Sequence, residues 1–364
     1  MGQRPPVGRP PRRLQPNWRD RLNLFSLLRT VAIALAGAVA AQWAHLPLPW
    51  FTGSLIAVAG CAMSGLRLAD VPGARDNGQW IIGTALGLYF TPAVVAQLVR
   101  LLPWVAVNLL FVIVLGLAGA WLLRRMTGES GTTCFFATAI GGAAEMAAQA
   151  ERFGGRVDRV AAAHSFRIFM VALIVPLAMQ LGGVSGADPY TPAVVRFDAT
   201  GFVALAAVTG GAAIVMARLR VPNGWMIGPL VAAAGISAAG LEFSAMPAPV
   251  LNGGQLLIGI ALGTRFSPEF FRAAPRYLVA VALVTVLYLV ASAVFGAWLA
   301  HLAGLTAPTA ILATTPGGIG EMALTAKLLK LGAPIVAAFH AVRMAALVFL
   351  VGGMYRVMKR WSSA

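Results

Sequence analysis

Six ionisable residues recur at one spacing. Glu145, His164 and Arg167 are matched 176 positions later by Glu321, His340 and Arg343. A glycine pair precedes each glutamate, Gly141 and Gly142 in the first copy and Gly317 and Gly318 in the second, and Met146 and Met322 follow. The flanking segments are otherwise built mainly from Ala, Val, Leu, Ile and Phe. An ionisable residue at bilayer depth costs roughly 2.5–3.5 kcal/mol on insertion scales, so it faces a partner or a wet cavity. A glutamate there can carry a proton or coordinate a cation. A histidine can share that proton or donate to a ligand, and an arginine can hold a carboxylate or act as counter-charge. A simpler use of the same residues is a Glu–Arg pair that fixes a hairpin in each copy. Such a pair can be replaced by apolar packing with little loss of stability, so its presence in both copies beside a broken helix favours function.

The elements that must position them are short. FFATAIGGAAEM and ILATTPGGIGEM each read as a short helix, a Gly-Gly break and a second short helix, with Pro316 strengthening the second break. The missing Cβ atoms loosen the backbone and offer peptide groups to a ligand. Irregular backbone at membrane depth is tolerated only where it is buried in protein or lines water. Glutamate and histidine lie on opposite legs of a hairpin turning near Gly154, or near Leu331 in the second copy. Both then stand roughly 13–15 Å from the turn at 1.5 Å per residue, and each arginine follows three residues after its histidine on the same helix face.

The repeat extends well beyond these motifs. An apolar run from about Phe25 to Ala44 has its counterpart near Thr200 to Met216; because that counterpart lies mid-chain, the first run reads as a membrane helix rather than a cleaved signal. LPLPWFTGSLIAVAGCAMSGL matches VPNGWMIGPLVAAAGISAAGL at an offset of 175, pairing Trp50 with Trp225, Gly53 with Gly228 and Gly60 with Gly235. The tryptophans suit interfacial anchors. In QWIIGTALGLYFTP and QLLIGIALGTRFSP, Gly83/Gly259 and Gly87/Gly263 share a helix face. They imply either close helix packing or an interrupted helix on a substrate path. Long apolar stretches from Leu102 to Leu123 and from Tyr277 to Ala300 read as scaffold.

Composition sets the class. With 364 residues, 59% hydrophobic, 11% charged and a mean hydropathy of +0.79, the chain has too much apolar surface for a soluble globule. The expected fold is an all-α polytopic membrane protein of two homologous repeats, residues 25–183 and 199–358, after a basic disordered tail over 1–24. The formal charge of +16 comes from segment ends and from Arg4, Arg9, Arg12, Arg13, Arg19 and Arg21 in the tail. That is the pattern of a cytoplasmic N-terminus under the positive-inside rule, and the bilayer is the expected partner; no nucleic-acid module is recognisable. Cys61 and Cys134 fall in apolar segments and form neither a disulfide framework nor a metal knuckle. His45 and His301 look interfacial, and no cofactor or metal is expected.

Charge also bears on topology. If every apolar segment crossed, six per repeat, Arg218, Arg220 and the C-terminal basic cluster would lie outside. If the Gly-Gly segments are instead re-entrant or broken, five helices cross per repeat, about ten in all, and most basic clusters share the side of the tail. Arg100, Lys327 and Lys330 fall outside on that reading. An odd count inverts one half relative to the other, as in many secondary transporters.

At GGxxEM…HxxR, over nearly the whole chain after the tail, the sequence resembles the AbrB-duplication family of bacterial inner-membrane proteins, which carry two copies of this unit. Members have been labelled ammonia monooxygenases or regulators of gene expression, and the family is grouped with cation/proton antiporters and anion transporters. The resemblance implies a transporter fold in the inner membrane. The leading expectation is a secondary transporter of a small solute coupled to H+ or Na+, an anion being favoured by the repeated arginine. A membrane protein acting indirectly on gene expression is the alternative. A metal-dependent oxidase is a second one, disfavoured because the Glu-x-x-His spacing of di-iron bundles and any thiolate cluster are absent. A homodimer is expected by analogy with transporters of this architecture.

Overall fold

The computed structural model describes residues 24–187, 190–192, 194, 196–266, 268, 270 and 275–362. The tail expected over 1–24 therefore lies almost wholly outside the described residues. Among the described residues two sets of seven helices follow one another. The first comprises α1 (Leu24–Trp43), α2 (Pro49–Met63), α3 (Ala74–Gly87), α4 (Pro92–Thr127), α5 (Gly131–Thr138), α6 (Ala143–Arg152) and α7 (Val157–Leu181). The second comprises α8 (Ala199–Arg218), α9 (Gly224–Ala238), α10 (Ala248–Gly263), α11 (Pro275–Ala303), α12 (Ala307–Thr314), α13 (Ile319–Leu328) and α14 (Ala333–Ser362).

Six of these, α1, α4, α7, α8, α11 and α14, are long and apolar enough to cross a bilayer. The protein is an all-helical, membrane-embedded polytopic protein. Helices α2, α3, α9 and α10 run only 14 to 16 residues, about 21–24 Å at 1.5 Å per residue. With the six long helices they make up the ten expected, and α5/α6 and α12/α13 are the two broken ones.

Local sequence sets the boundaries. Proline opens α2 and α4, where its missing N–H costs nothing. Gly128 in a left-handed conformation closes α4, and the Ser130 hydroxyl caps α5 by accepting from Thr133 N–H at 3.2 Å. The repeat persists into backbone detail: His45 and Leu48 before α2, and Arg220 and Asn223 before α9, all have φ between 50° and 56°.

Close backbone approach holds the short helices together. A Cβ on Gly83 would lie 2.5 Å from Met226 O in α9, and one on Gly259 would lie 2.8 Å from Phe51 O in α2. Gly87 and Gly263 are packed in the same way against α9 and α2. Both helices are continuous through these positions, so close packing rather than interruption explains the glycines. The equivalent helices α3 and α10 cross at Gly78 and Gly254, where Gly78 faces Ile258 and Gly254 faces Ile81. Later residues of one helix meet earlier residues of the other, so the two run antiparallel. The equivalent pair α4 and α11 does the same, with Phe111 stacked on Phe295 and Gly119 against Tyr288. Equivalent helices running in opposite senses make the second set of helices an inverted copy of the first.

Candidate functional site

Each GGxxEM motif is a self-contained turn. Helix α5 ends at Thr138 and α6 begins at Ala143; α12 ends at Thr314 and α13 begins at Ile319. A Cβ on Gly141 would lie 2.9 Å from Met146 Cε, and one on Gly142 would overlap Glu145 Oε2. In the second copy, Gly317 opposes Met322 and Gly318 opposes Glu321. The glycine pair therefore makes room for the methionine and the glutamate that follow. Glu145 and Glu321 lie in the first turns of α6 and α13 with their carboxylates folded back over the N-caps, where a negative charge meets the positive end of the helix dipole.

The histidines and arginines serve the other side of each break. His164 Nε2 donates to Phe136 O at 2.8 Å, and Arg167 donates from Nη1 to Ala139 O at 3.2 Å and from Nη2 to His164 Nδ1 at 3.1 Å. In the second copy His340 Nε2 donates to Leu312 O at 2.9 Å. Arg343 gives Nη1 to Thr315 O at 2.7 Å and Nη2 to Gly317 O at 2.6 Å and to His340 Nδ1 at 3.1 Å. These carbonyls are among those a helix C-terminus leaves without intrahelical partners, and a guanidinium suits the negative end of the dipole. All four side chains are buried, none more than 5% exposed. A carbonyl only accepts and a guanidinium only donates, so each imidazole carries its proton on Nε2 and a lone pair on Nδ1.

The expected meeting of glutamate with histidine or arginine takes a different form. Among the described residues neither Glu145 nor Glu321 forms an ion pair with an arginine; the three ion pairs there join Glu129 and Asp158 to Arg156 and Arg159. Glutamate belongs to the N-terminus of the second half-helix and His–Arg to the C-terminus of the first. Partners of the latter kind could not be read from spacing, because a carbonyl at a helix end has no residue signature.

Both breaks open onto one cavity of about 100 Å³. Its wall includes Gly141, Gly142 and Ala143 from the first break, Pro316 to Glu321 from the second, and both Arg167 and Arg343. The Nε atoms of these two arginines are buried without a hydrogen-bond partner. Neither N-cap glycine supplies a side-chain cap, and Gly142 and Ala143 at the start of α6 and Gly318 and Ile319 at the start of α13 line this wall. Among the described residues Arg75, Gln79, Asn223 and Arg265 complete the polar lining, and Glu321 is the one carboxylate in it. Arg75 and Arg265 are not among the candidate site residues that the repeated motifs single out. The signal was present: the positions equivalent to them are Leu251 and Tyr89, so a charge stands in one copy where the other has none.

Elsewhere, Cys61 and Cys134 are free thiols. Among the described residues no group of three or more His, Cys, Asp and Glu could hold a metal ion.

With both copies of the motif in place, residues 50–359 match the family described as transition state regulatory protein AbrB. The chain belongs to the AbrB family. It is 25% identical over 363 residues to the uncharacterized protein YhjN of Bacillus subtilis (strain 168), covering 92% of this chain and 94% of that one. It is 28% identical over 288 residues to a protein of Escherichia coli (strain K12) named provisionally as regulator AbrB, covering 78% and 82%. Neither name specifies an enzyme.

Proposed function

We propose that this AbrB-family protein is a secondary transporter of a small anion. The observation that carries the reading is the convergence of two Gly-Gly breaks from inverted halves on one cavity walled, among the described residues, by four arginines and one glutamate. Half-helix N-termini at a central cavity attract anionic groups, and arginine holds carboxylate or phosphate oxygens through paired N–H donors. The half-helix carbonyls that could have held Na+ already accept from His164, Arg167, His340 and Arg343. Of the two expected coupling ions H+ is therefore favoured, with Glu321 at the cavity wall as its carrier and Glu145 as the counterpart when the cavity faces the other way. Arg75 and Arg265, both exposed, mark the open side. By the positive-inside rule that side is cytoplasmic.

The test is melting of the purified protein against small carboxylates, other anions, amines and Na+ over a range of pH, followed by flux in proteoliposomes. A ligand at about 100 times its Kd that binds only the folded state adds roughly 2.7 kcal/mol. The expected result is a stabilising anion that is also taken up, with both effects lost on combining Glu145→Gln and Glu321→Gln. Stabilisation without flux would favour the regulatory reading, which the name of the E. coli relative suggests.

A further inference from the structure

The cavity presents two equivalent groupings of a half-helix N-terminus with a buried guanidinium. At the first break stand the N-terminus of α6, with Gly142 and Ala143, and the buried guanidinium of Arg167; at the second stand the N-terminus of α13, with Gly318 and Ile319, and that of Arg343. Of the five N–H donors on each guanidinium, two on Arg167 and three on Arg343 have partners, and the buried Nε–H is unpaired on both. The rest of the wall includes Met226, Ile258, Leu262 and Met344, which offer dispersion contacts and no hydrogen bonds. Among the described residues Arg167 and Arg343 are buried and neither forms an ion pair with a carboxylate, and buried charge without a counter-charge is costly.

We propose that the substrate is a small organic dianion, with two acidic groups joined by a short apolar spacer and one group seated at each break. This rests on the anion-transporter reading and deepens it. A dianion answers both half-sites and both buried guanidinium charges, whereas a monoanion of the same length leaves one half-site open and an inorganic dianion leaves the apolar wall unused. Room of about 100 Å³ suits a skeleton of a few carbons. Because each acidic group meets one half of an inverted pair, the two ends of the substrate exchange roles when the halves exchange conformations.

The experiment is thermal melting of the purified full-length protein with straight-chain dicarboxylates of four to six carbons, monocarboxylates of equal length, and sulfate. The variant is Gly320→Asp, which sets a carboxylate beside the second half-site, where a Cβ meets nothing closer than 3.6 Å, and its retained response to monocarboxylate reports that it is folded. The expected result is that a dicarboxylate stabilises at a concentration about tenfold or more below the matched monocarboxylate, and that Gly320→Asp abolishes this preference while still responding to monocarboxylate. Equal responses to mono- and dicarboxylates, or sulfate matching the best dicarboxylate, would overturn the dianion while leaving the anion reading intact. No response to any anion would overturn the anion reading itself.

Discussion

Arg343 Nη2 donates to His340 Nδ1 at 3.1 Å, and Arg167 and His164 repeat the bond at the same length 28 residues beyond the carbonyls they serve. The bond needs an unprotonated Nδ1, so in this conformation neither histidine carries a second proton. Replacing Arg343 with lysine leaves one ammonium to do the work of a planar fork. At least one of Thr315 O, Gly317 O and His340 Nδ1 then loses its donor, at a cost of about 1–3 kcal/mol. Denaturation in detergent should show R343K destabilised by that amount. Glutamine at 340 retains one donor group and one acceptor, so H340Q should lie nearer to wild type than H340A.

The same geometry places pH dependence on the glutamate. Glu321 is at the cavity wall, while His340 is fully buried and committed to Leu312 O and Arg343. Uptake measured against external pH should flatten in E321Q and keep its wild-type profile in H340Q, whatever the loss in overall rate. A flattened profile in H340Q would move the proton to the histidine.

Two glycines matched by the repeat should respond in opposite ways to alanine. A Cβ on Gly53 would run into the Gly37 backbone and lie 2.6 Å from Ala41 Cβ, whereas one on Gly60 meets nothing within 4 Å. Gly53→Ala forces α1 and α2 apart and should cost about 1–3 kcal/mol. Gly60→Ala should be neutral or stabilising by up to about 1 kcal/mol through helix propensity. Melting temperatures of the two variants, measured side by side, check both signs.

These contrasts show what was legible in the sequence. The repeat, the all-helical class and the place of each break could be read, because Gly141/Gly317, Glu145/Glu321 and Arg167/Arg343 keep one offset and apolar segments expose any charge within them. Gly60 and Gly235 repeat just as faithfully as Gly53 and Gly228, yet a Cβ at either meets nothing within 4 Å, so recurrence alone did not separate packing from chance. The convergence of both breaks on one cavity was hidden for a different reason. It depends on α3 crossing α10 and α4 crossing α11, and no local pattern encodes which inverted helices meet. Arg75 and Arg265 were hidden with it, since a charge at a segment end looks alike whether it faces headgroups or a cavity mouth.

At that mouth the two arginines should act on capture rather than on turnover. Both are exposed, and neither belongs to the half-helix breaks. Clefts lined by one sign of charge raise local counter-ion concentration in a salt-dependent way. R75Q and R265Q should each raise KM for the anion with little change in kcat, and should weaken the dependence of KM on ionic strength. Equal losses in kcat and kcat/KM would instead place these residues on the moving parts of the cycle.

The tips of the two broken hairpins are held by different forces, and that difference is testable without knowing the substrate. At the first tip Glu129 Oε1 lies 3.2 Å from Arg159 Nε and 3.4 Å from Arg156 Nη1, while Arg156 Nη2 reaches Asp158 at 2.9 Å. The equivalent positions at the second tip are Leu305, Gly332, Pro334 and Ile335, with Ile335 buried. Both tips share one backbone contact, Arg156 N–H to Thr133 Oγ1 at 3.1 Å and Gly332 N–H to Thr309 Oγ1 at 3.2 Å. Partly exposed ion pairs contribute about 1 kcal/mol or less and are screened by salt; apolar packing is not. Raising the ionic strength, or substituting Glu129 by Gln, should therefore speed amide hydrogen exchange around 150–157 and leave exchange around 326–333 unchanged. If both tips respond alike, the ionic contacts are incidental and the shared threonine contact holds each hairpin.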